Sequence, residues 1–317
     1  VELSATPGAG AAATERPTEA LVRRVDFGGV SLVADGGTTF DAIARGKLMG
    51  ARKSLGNAVV VGDRVTVAWE GERAMIERVA PRRNAFSRRA SGERAVEQVV
   101  AANLDQVVCV ASLRRPEFRQ GLVDRVVAQG HVAGLPVLLA LNKTDLAEPG
   151  EVEALLAELA PAGVSGIGLC AKRGIGVEAL REACLGRRSL FIGHSGVGKS
   201  TLLDLLAPGH ELLQGEVNEV TGKGRHTTTA ALLLQPEPGL ELIDTPGIRA
   251  FSLWGVDEQA LEACYPELAP YLGRCRFRDC RHDREPGCAV LGAVESGAIP
   301  ASRWESFVHL REELAAR

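Results

Sequence analysis

Two periodicities divide the chain. From Arg23 to about Ala80, short β-branched runs are broken by turn residues, as in VRRVDFGGVSLVAD and NAVVVGDRVTVAWEGERAMIERVAP. Val65, Val67 and Trp69 alternate onto one side, and Glu70-Gly71-Glu72 reads as a hairpin turn, so antiparallel strands are predicted. A small barrel of about five strands, of the OB-fold kind that often binds nucleic acids, fits this length; an SH3-like barrel would read almost the same. Beyond residue 95 the pattern changes. DQVVCVASL reads as a buried strand, LVDRVVAQGHVAG as a helix, LPVLLALNKTD as a strand ending in a loop, and EVEALLAELAPAG as a second helix. SLFIGHSGVGKSTLLDLLAP repeats strand, loop and helix, and LELIDTPGI adds a strand with polar residues at its carboxyl end. This alternation predicts an α/β domain with a mostly parallel sheet, in which ligands sit at the carboxyl ends of strands. After Ile248 the pattern turns helical, in DEQALEACYPELAPYL and in SRWESFVHLREELAAR.

The expected organisation is multidomain. Residues 1–18 read as a disordered tail, 19–81 as the barrel and 82–95, RRNAFSRRASGERA, as a basic linker that orders on a partner. Residues 96–248 read as the α/β domain and 249–317 as a mainly helical domain. A length of 317 residues suits two or three domains, and 45% hydrophobic with 24% charged residues supplies ordinary cores. With Gly 36 and Pro 15, collagen-like and linker-dominated chains are excluded. No stretch approaches the ~18 apolar residues of a membrane span, so a cytoplasmic protein without a membrane partner is expected. The net charge is −3, yet residues 41–94 carry 12 Lys/Arg against 6 Asp/Glu. Such a basic module suits a polyanion, and equally a solvated basic face.

Gly193-His194-Ser195-Gly196-Val197-Gly198-Lys199-Ser200 matches G-x-x-x-x-G-K-[ST], with a predicted strand over Ser189–Ile192 before it and a helix over Thr201–Ala207 after it. Glycines let backbone N–H groups close around phosphates at a helix N-terminus, Lys199 reaches the β- and γ-phosphates, and the Ser200 hydroxyl ligates Mg²⁺. At the end of LELI, Asp244-Thr245-Pro246-Gly247 offers a carboxylate to the metal through water and a glycine N–H to the γ-phosphate. Asn142-Lys143-Thr144-Asp145 supplies base selection: the Asp145 carboxylate accepts from N1–H and the 2-amino group of guanine, donors that adenine lacks. Cys170-Ala171-Lys172 would support the base through backbone N–H groups.

The order of these motifs is informative, because small GTPases place the phosphate loop first and the base-selecting loops last. Here the base loops come first, which makes the domain a circular permutation. Gly222-Lys223-Gly224-Arg225-His226-Thr227-Thr228-Thr229 takes the place of the first switch, with Thr228 the residue expected to bind Mg²⁺ and the γ-phosphate. Ile248 stands where other GTPases carry a water-orienting Gln. An aliphatic chain cannot orient water, so turnover should be slow unaided. His226 is the candidate to orient or deprotonate water, or else a contact for an RNA phosphate.

Cys275-x4-Cys280-x-His282-x5-Cys288 offers three thiolates and one imidazole, a set suited to one structural, tetrahedral Zn²⁺. Arg274, Arg276, Arg278, Arg281 and Arg284 surround it, making the module a second candidate for phosphate contact. Cys109, Cys184 and Cys264 read as core.

The permuted order, GHSGVGKS, GRHTTT, DTPGI and the C-x4-C-x-H-x5-C cluster behind a basic barrel closely resemble the ribosome small-subunit-dependent GTPase A family, RsgA or YjeQ, over about residues 20–317. The resemblance implies an OB-fold barrel, a permuted GTPase domain and a zinc-binding helical domain, acting late in maturation of the small ribosomal subunit, on its rRNA, with GTPase activity stimulated by that subunit. It implies a GTP site at Asn142, Lys143, Asp145, Gly193 to Thr201, Thr228 and Asp244 to Gly247, zinc at Cys275, Cys280, His282 and Cys288, and a catalytic role for His226 on the ribosome. Cys170 replaces the family's Ser, a change expected to matter little because the backbone there does the binding. A monomer that binds no DNA is expected. Two other readings are an ATP-using P-loop metabolic enzyme, against which Asn142-Lys143-Thr144-Asp145 argues, and a GTP-dependent RNA-binding switch with little catalytic role.

Overall fold

The computed structural model describes residues 16–26, 29–45, 58–90, 96–210, 231–247 and 251–316. Strands β1 (Glu19–Asp26), β2 (Gly29–Val33), β3 (Thr39–Ala44), β4 (Arg64–Glu70) and β5 (Arg73–Val79) close on themselves in the order β1-β2-β3-β5-β4-β1, with β3 and β5 parallel and the other pairs antiparallel. Alternate positions supply the interior, including Val22, Leu32, Ala42, Val65, Val67 and Ile76. This five-stranded closure is that of an OB-fold.

Residues 82–95, expected as an aperiodic linker, instead contain β6 (Ala85–Arg89), which pairs antiparallel with β7 (Glu97–Ala102). Two anchors explain the order. Phe86 is fully buried and stacks on Phe251 with ring centroids 5.7 Å apart. Arg82 bonds the buried Asp63 carboxylate at 2.7 and 2.8 Å, while Arg83 donates to the carbonyls of Asn103 and Leu104 and to Asp105. These arginines therefore fasten the barrel to the next domain.

The α/β sheet runs β10 (Ser165–Gly168), β9 (Val137–Asn142), β8 (Gln106–Ser112), β11 (Arg187–Gly193), β13 (Leu240–Asp244) and β12 (Leu232–Glu237), parallel except for β12. Both faces are covered, which is why β8 and β9 read as unbroken apolar runs. Val107, Cys109 and Ala111 of β8 face α1 (Gln120–Val132), α2 (Glu151–Leu159) and the C-terminal helices. Val108 and Val110 face α3 (Val177–Cys184) and α4 (Lys199–Leu206). One pairing, Arg24 of β1 opposite Leu232 of β12, joins barrel and sheet.

The C-terminal region contributes α5 (Glu258–Ala263), α6 (Ala289–Glu295) and α7 (Ala301–Ala315), of which α5 and α7 pack on α1 and on each other. The first predicted helix is shorter than its sequence suggested, because Pro266 and Pro270 disfavour helical backbone at the residues before them. At the seam Arg303 of α7, 1% exposed, pairs with Asp124 of α1 and, at 2.6 Å, with Glu267, and lies 4.2 Å over the Tyr265 ring. Burial pushes the Asp124 carboxyl up, and the Arg303 charge opposes that shift. Among the described residues, no helix is long and apolar enough to cross a membrane.

Removing one partner of a buried ion pair leaves the other uncompensated, so Arg303→Ala should destabilise the protein by about 3–5 kcal/mol in denaturant unfolding. Loss of under about 1 kcal/mol would show that the seam does not depend on this pair.

Candidate nucleotide site and metal centre

Four parallel strands, β9, β10, β11 and β13, end on the same edge of the sheet, and each carries one of the sequence motifs past that end. The phosphate loop spans the end of β11 and the start of α4. Gly196 and Gly198 adopt φ of +84° and +93°, conformations that side chains rarely take. A Cβ on Gly198 would also lie 2.3 Å from Asn142 Nδ2. That approach is occupied by hydrogen bonds: Asn142, 3% exposed, donates from Nδ2 to the Val197 carbonyl at 2.9 Å and accepts at Oδ1 from the Ala171 N–H at 3.0 Å. One amide thus holds three loops together.

Lys143, with φ of +63°, donates to the Gly196 carbonyl at 2.6 Å and to that of Arg115, bracing the phosphate loop from its other side. Lys199 and Asp244 form a buried ion pair, and Thr245 Oγ1 donates to the Phe191 carbonyl at 2.7 Å. Gly247 lies over Ser195, where a Cβ would meet Ser195 Cα at 3.3 Å. Ser200 and Thr201 are exposed at the start of α4, beside that ion pair. A cation, a carboxylate, a hydroxyl and glycine-lined backbone therefore converge as a site for a metal-bound phosphate chain requires. The His194 side chain turns elsewhere: its ring accompanies the Ser195 carbonyl at 2.9 Å and borders a cleft lined by Arg119, Arg125 and His309. His226 and Thr228 lie outside the described residues.

Sequence reasoning missed the part played by the Cys170 side chain. The N–H of Cys170 donates to the Ile175 carbonyl at 2.9 Å and that of Ala171 to Asn142, while the Cys170 thiol donates to Asp145 Oδ1 at 3.1 Å. That thiol bond is the main reason the Asp145 carboxyl sits below the usual carboxylate range. Lys172 is exposed at the rim. The signal was available in the sequence, since a thiol can replace a hydroxyl as a weak donor at the family's Ser position.

The sulfur and nitrogen donors of Cys275, Cys280, His282 and Cys288 lie within 4.8 Å of one another. His282 Nδ1 is 3.4 Å from the sulfurs of both Cys275 and Cys288, which are 3.8 Å apart. Bonds of about 2.3 Å to sulfur and about 2.0 Å to nitrogen in a tetrahedron require donor separations of about 3.5–3.8 Å, so the set fits a metal ion. Backbone N–H groups of Ala289 and Leu291 donate to the sulfurs of Cys275 and Cys288. His282 takes a left-handed backbone, φ of +60°, and its carbonyl accepts from Trp304 Nε1 at 2.7 Å. Burial, with Arg311 nearby, lowers its pKa and so favours the neutral imidazole that a ligand needs. Glu285 accepts from the N–H groups of Arg281, Asp283 and Arg284, which hold its carboxyl down at about 2 and close the loop around His282.

The sequence profile of the RsgA GTPase family matches residues 79–254. The chain belongs to the RsgA GTPase family. A relative from Gemmatimonas aurantiaca, "Small ribosomal subunit biogenesis GTPase RsgA", is 40% identical over 298 residues, covering 92% of this chain and 95% of the relative. One of the same name from Chlorobaculum parvum is 44% identical over 267 residues, 81% of this chain and 86% of its own. Among solved structures, YjeQ from Thermotoga maritima superposes with a TM-score of 0.71 at 29% identity, over 95% of this chain and 99% of that one. YloQ, described as a circularly permuted GTPase, shares the fold, with a TM-score of 0.67 at 22% identity over 98% and 99%. As an RsgA-family member the protein is a GTP hydrolase with a circularly permuted catalytic domain, which implies GTP/GDP and Mg²⁺ as ligands. The ATP-using reading gains nothing from these comparisons.

Two outcomes follow from the geometry. Cys170→Ala should weaken GDP binding by about 1 kcal/mol, roughly fivefold, in a fluorescent-nucleotide titration, and Cys170→Ser should restore it; equal affinity in all three proteins would remove the role of the thiol. Glu285→Ala should weaken metal retention about 10- to 100-fold in chelator competition, because the loop that aims His282 loses its brace.

Proposed function

We propose that this GTPase acts late in maturation of the small ribosomal subunit, binding the rRNA of that subunit and leaving on GTP hydrolysis. The observation that carries the nucleotide chemistry is the Asn142 amide, bonded at once to the phosphate loop and to the loop after β10. The choice of partner is supported by relatives that match this chain over most of their length and are named for small-subunit biogenesis.

In this reading Asn142, Lys143 and Asp145 select guanine, with Cys170, Ala171 and Lys172 at the base edge. Gly193, His194, Ser195, Gly196, Val197, Gly198, Lys199, Ser200 and Thr201 cradle the phosphates, and Asp244 and Gly247 face the γ-phosphate. Ser200 and Thr228 would hold Mg²⁺, which when bound supplies charge neutralisation on the β- and γ-phosphates. Lys199 neutralises developing charge from its position at the base of α4, and His226 orients the attacking water that Ile248 cannot. Cys275, Cys280, His282 and Cys288 would hold one structural Zn²⁺, a full set of protein ligands that leaves no position for substrate. The barrel, the β6–β7 hairpin and the arginine-rich metal module supply the RNA contacts. The protein works as a monomer in the cytoplasm, without DNA or membrane partners.

Steady-state GTP hydrolysis tests this directly, measured alone, with small subunits and with large subunits as a control for generic polyanions. Turnover should be slow alone and rise at least about tenfold with small subunits only. Lys199→Ala should abolish it, and His226→Ala should keep nucleotide binding but lose about 100-fold of the stimulated rate. Binding of small subunits without faster turnover would instead support the switch reading.

A further inference from the structure

The barrel interior ends in two aromatic rings. Phe40 continues the inward-facing series of Ala42 on β3, and Trp69 continues that of Val65 and Val67 on β4, one layer beyond the fully buried residues. The rings lie 5.4 Å apart at 35° and are only half-buried, packed against the barrel core on one side. Among the described residues, what lies over Trp69 on its outer side is a cation and backbone rather than apolar side chains. The Arg16 guanidinium lies 5.1 Å from the centre of the Trp69 ring and donates to the Gly71 carbonyl, and Trp69 Nε1 donates to the Pro17 carbonyl at 2.9 Å. A groove of about 700 Å³ runs beside this contact, lined by Arg16, Thr18, Asp35, Gly36, Phe40 and Trp69.

We propose that Phe40 and Trp69 form a base-stacking platform for single-stranded RNA, and that the arm at Arg16 and Pro17 occupies that platform in the free protein. This rests on the reading of the protein as an rRNA-binding GTPase and names a surface and strand state for it. A hydrophobic plug would be closed by apolar side chains, whereas here a cation lies over the ring, on the face a nucleobase would take. An exposed cation–π contact is weaker than stacking of a base on tryptophan, so a base displaces the arm. The platform also sits where OB-folds take oligonucleotides, beside β3 and the β4–β5 turn. Exposed ion pairs flank it, Arg64 with Asp35 at 2.9 Å and Arg45 with Glu70 at 2.6 Å. Exposed pairs of this kind exchange readily, so RNA phosphates can take the place of the carboxylates.

The test is titration of the full-length protein with oligouridylate while tryptophan emission is followed. Saturable quenching is expected, together with several-fold tighter binding by Arg16→Ala, whose arm no longer competes. Trp69→Ala should bind about tenfold more weakly. Trp69→Phe should bind nearly as well as the wild type with the quenching lost, and it carries the test if the alanine variant fails to fold. Unchanged affinity in Arg16→Ala and in a folded Trp69→Ala, or quenching that persists in Trp69→Phe, overturns the proposal, as does equal quenching by duplex RNA, or quenching by peptides but not by oligouridylate. Subunit-stimulated hydrolysis by the same variants separates the two levels. If the wild type is stimulated and oligouridylate leaves Trp69 untouched, only the platform fails; if the wild type is not stimulated at all, the reading of the partner fails.

Discussion

The whole nucleotide site depends on one buried side-chain amide. Asn142 stands at the end of β9, yet its two polar atoms are bonded to the phosphate loop after β11 and to the loop after β10. Both partners are backbone groups removed from water, so removing the amide would leave two buried polar groups unsatisfied. The left-handed backbone of Gly198 is needed for the same reason: it brings the phosphate loop close enough that any side chain there would strike the amide. Lys143 repeats the arrangement from the other flank through the Gly196 carbonyl. The loops proposed to select the base and to bind phosphate are therefore joined before any ligand arrives.

Around this joint, among the described residues, buried ion pairs stand where structural units join. Arg82 to Asp63 ties the barrel to the hairpin, and Arg303 to Asp124 and Glu267 ties the C-terminal helices to α1. Lys199 to Asp244 joins the phosphate loop to the strand that ends in the D-x-x-G motif. Single buried charges would be costly, so each pair specifies one docking geometry more than it adds net stability.

Much of this was legible in the sequence because the informative residues act locally. The phosphate loop, the Asn142–Asp145 quartet and the Cys/His spacing each occupy a short stretch, and the apolar runs marked strands of a mostly parallel sheet. The strand over residues 85–89 was not legible, because its order comes from Phe86 meeting Phe251, far away in sequence. Charge composition made the same segment read as a linker, although Arg82 and Arg83 are held by partners inside the molecule. The thiol of Cys170 was overlooked for a related reason: its significance lies in its distance to Asp145. Proline placement, by contrast, could have shortened the predicted helix after Asp257 from sequence alone.

The pairing of Arg24 with Leu232 has a consequence for how the chain is made. Synthesis delivers β1 first and β12 only after the base loops and phosphate loop have emerged, so the edge of the barrel that meets the sheet waits unpaired while most of the catalytic domain is built. The strands β8, β9 and β10 can assemble in order of appearance, but β11 must insert beside β8 and then receive β13 on its other flank. The circular order of motifs thus becomes an order of assembly: the half proposed to read the base is in place early, and the half proposed to grip phosphate is finished last, by β13 and by β12, which also docks the barrel.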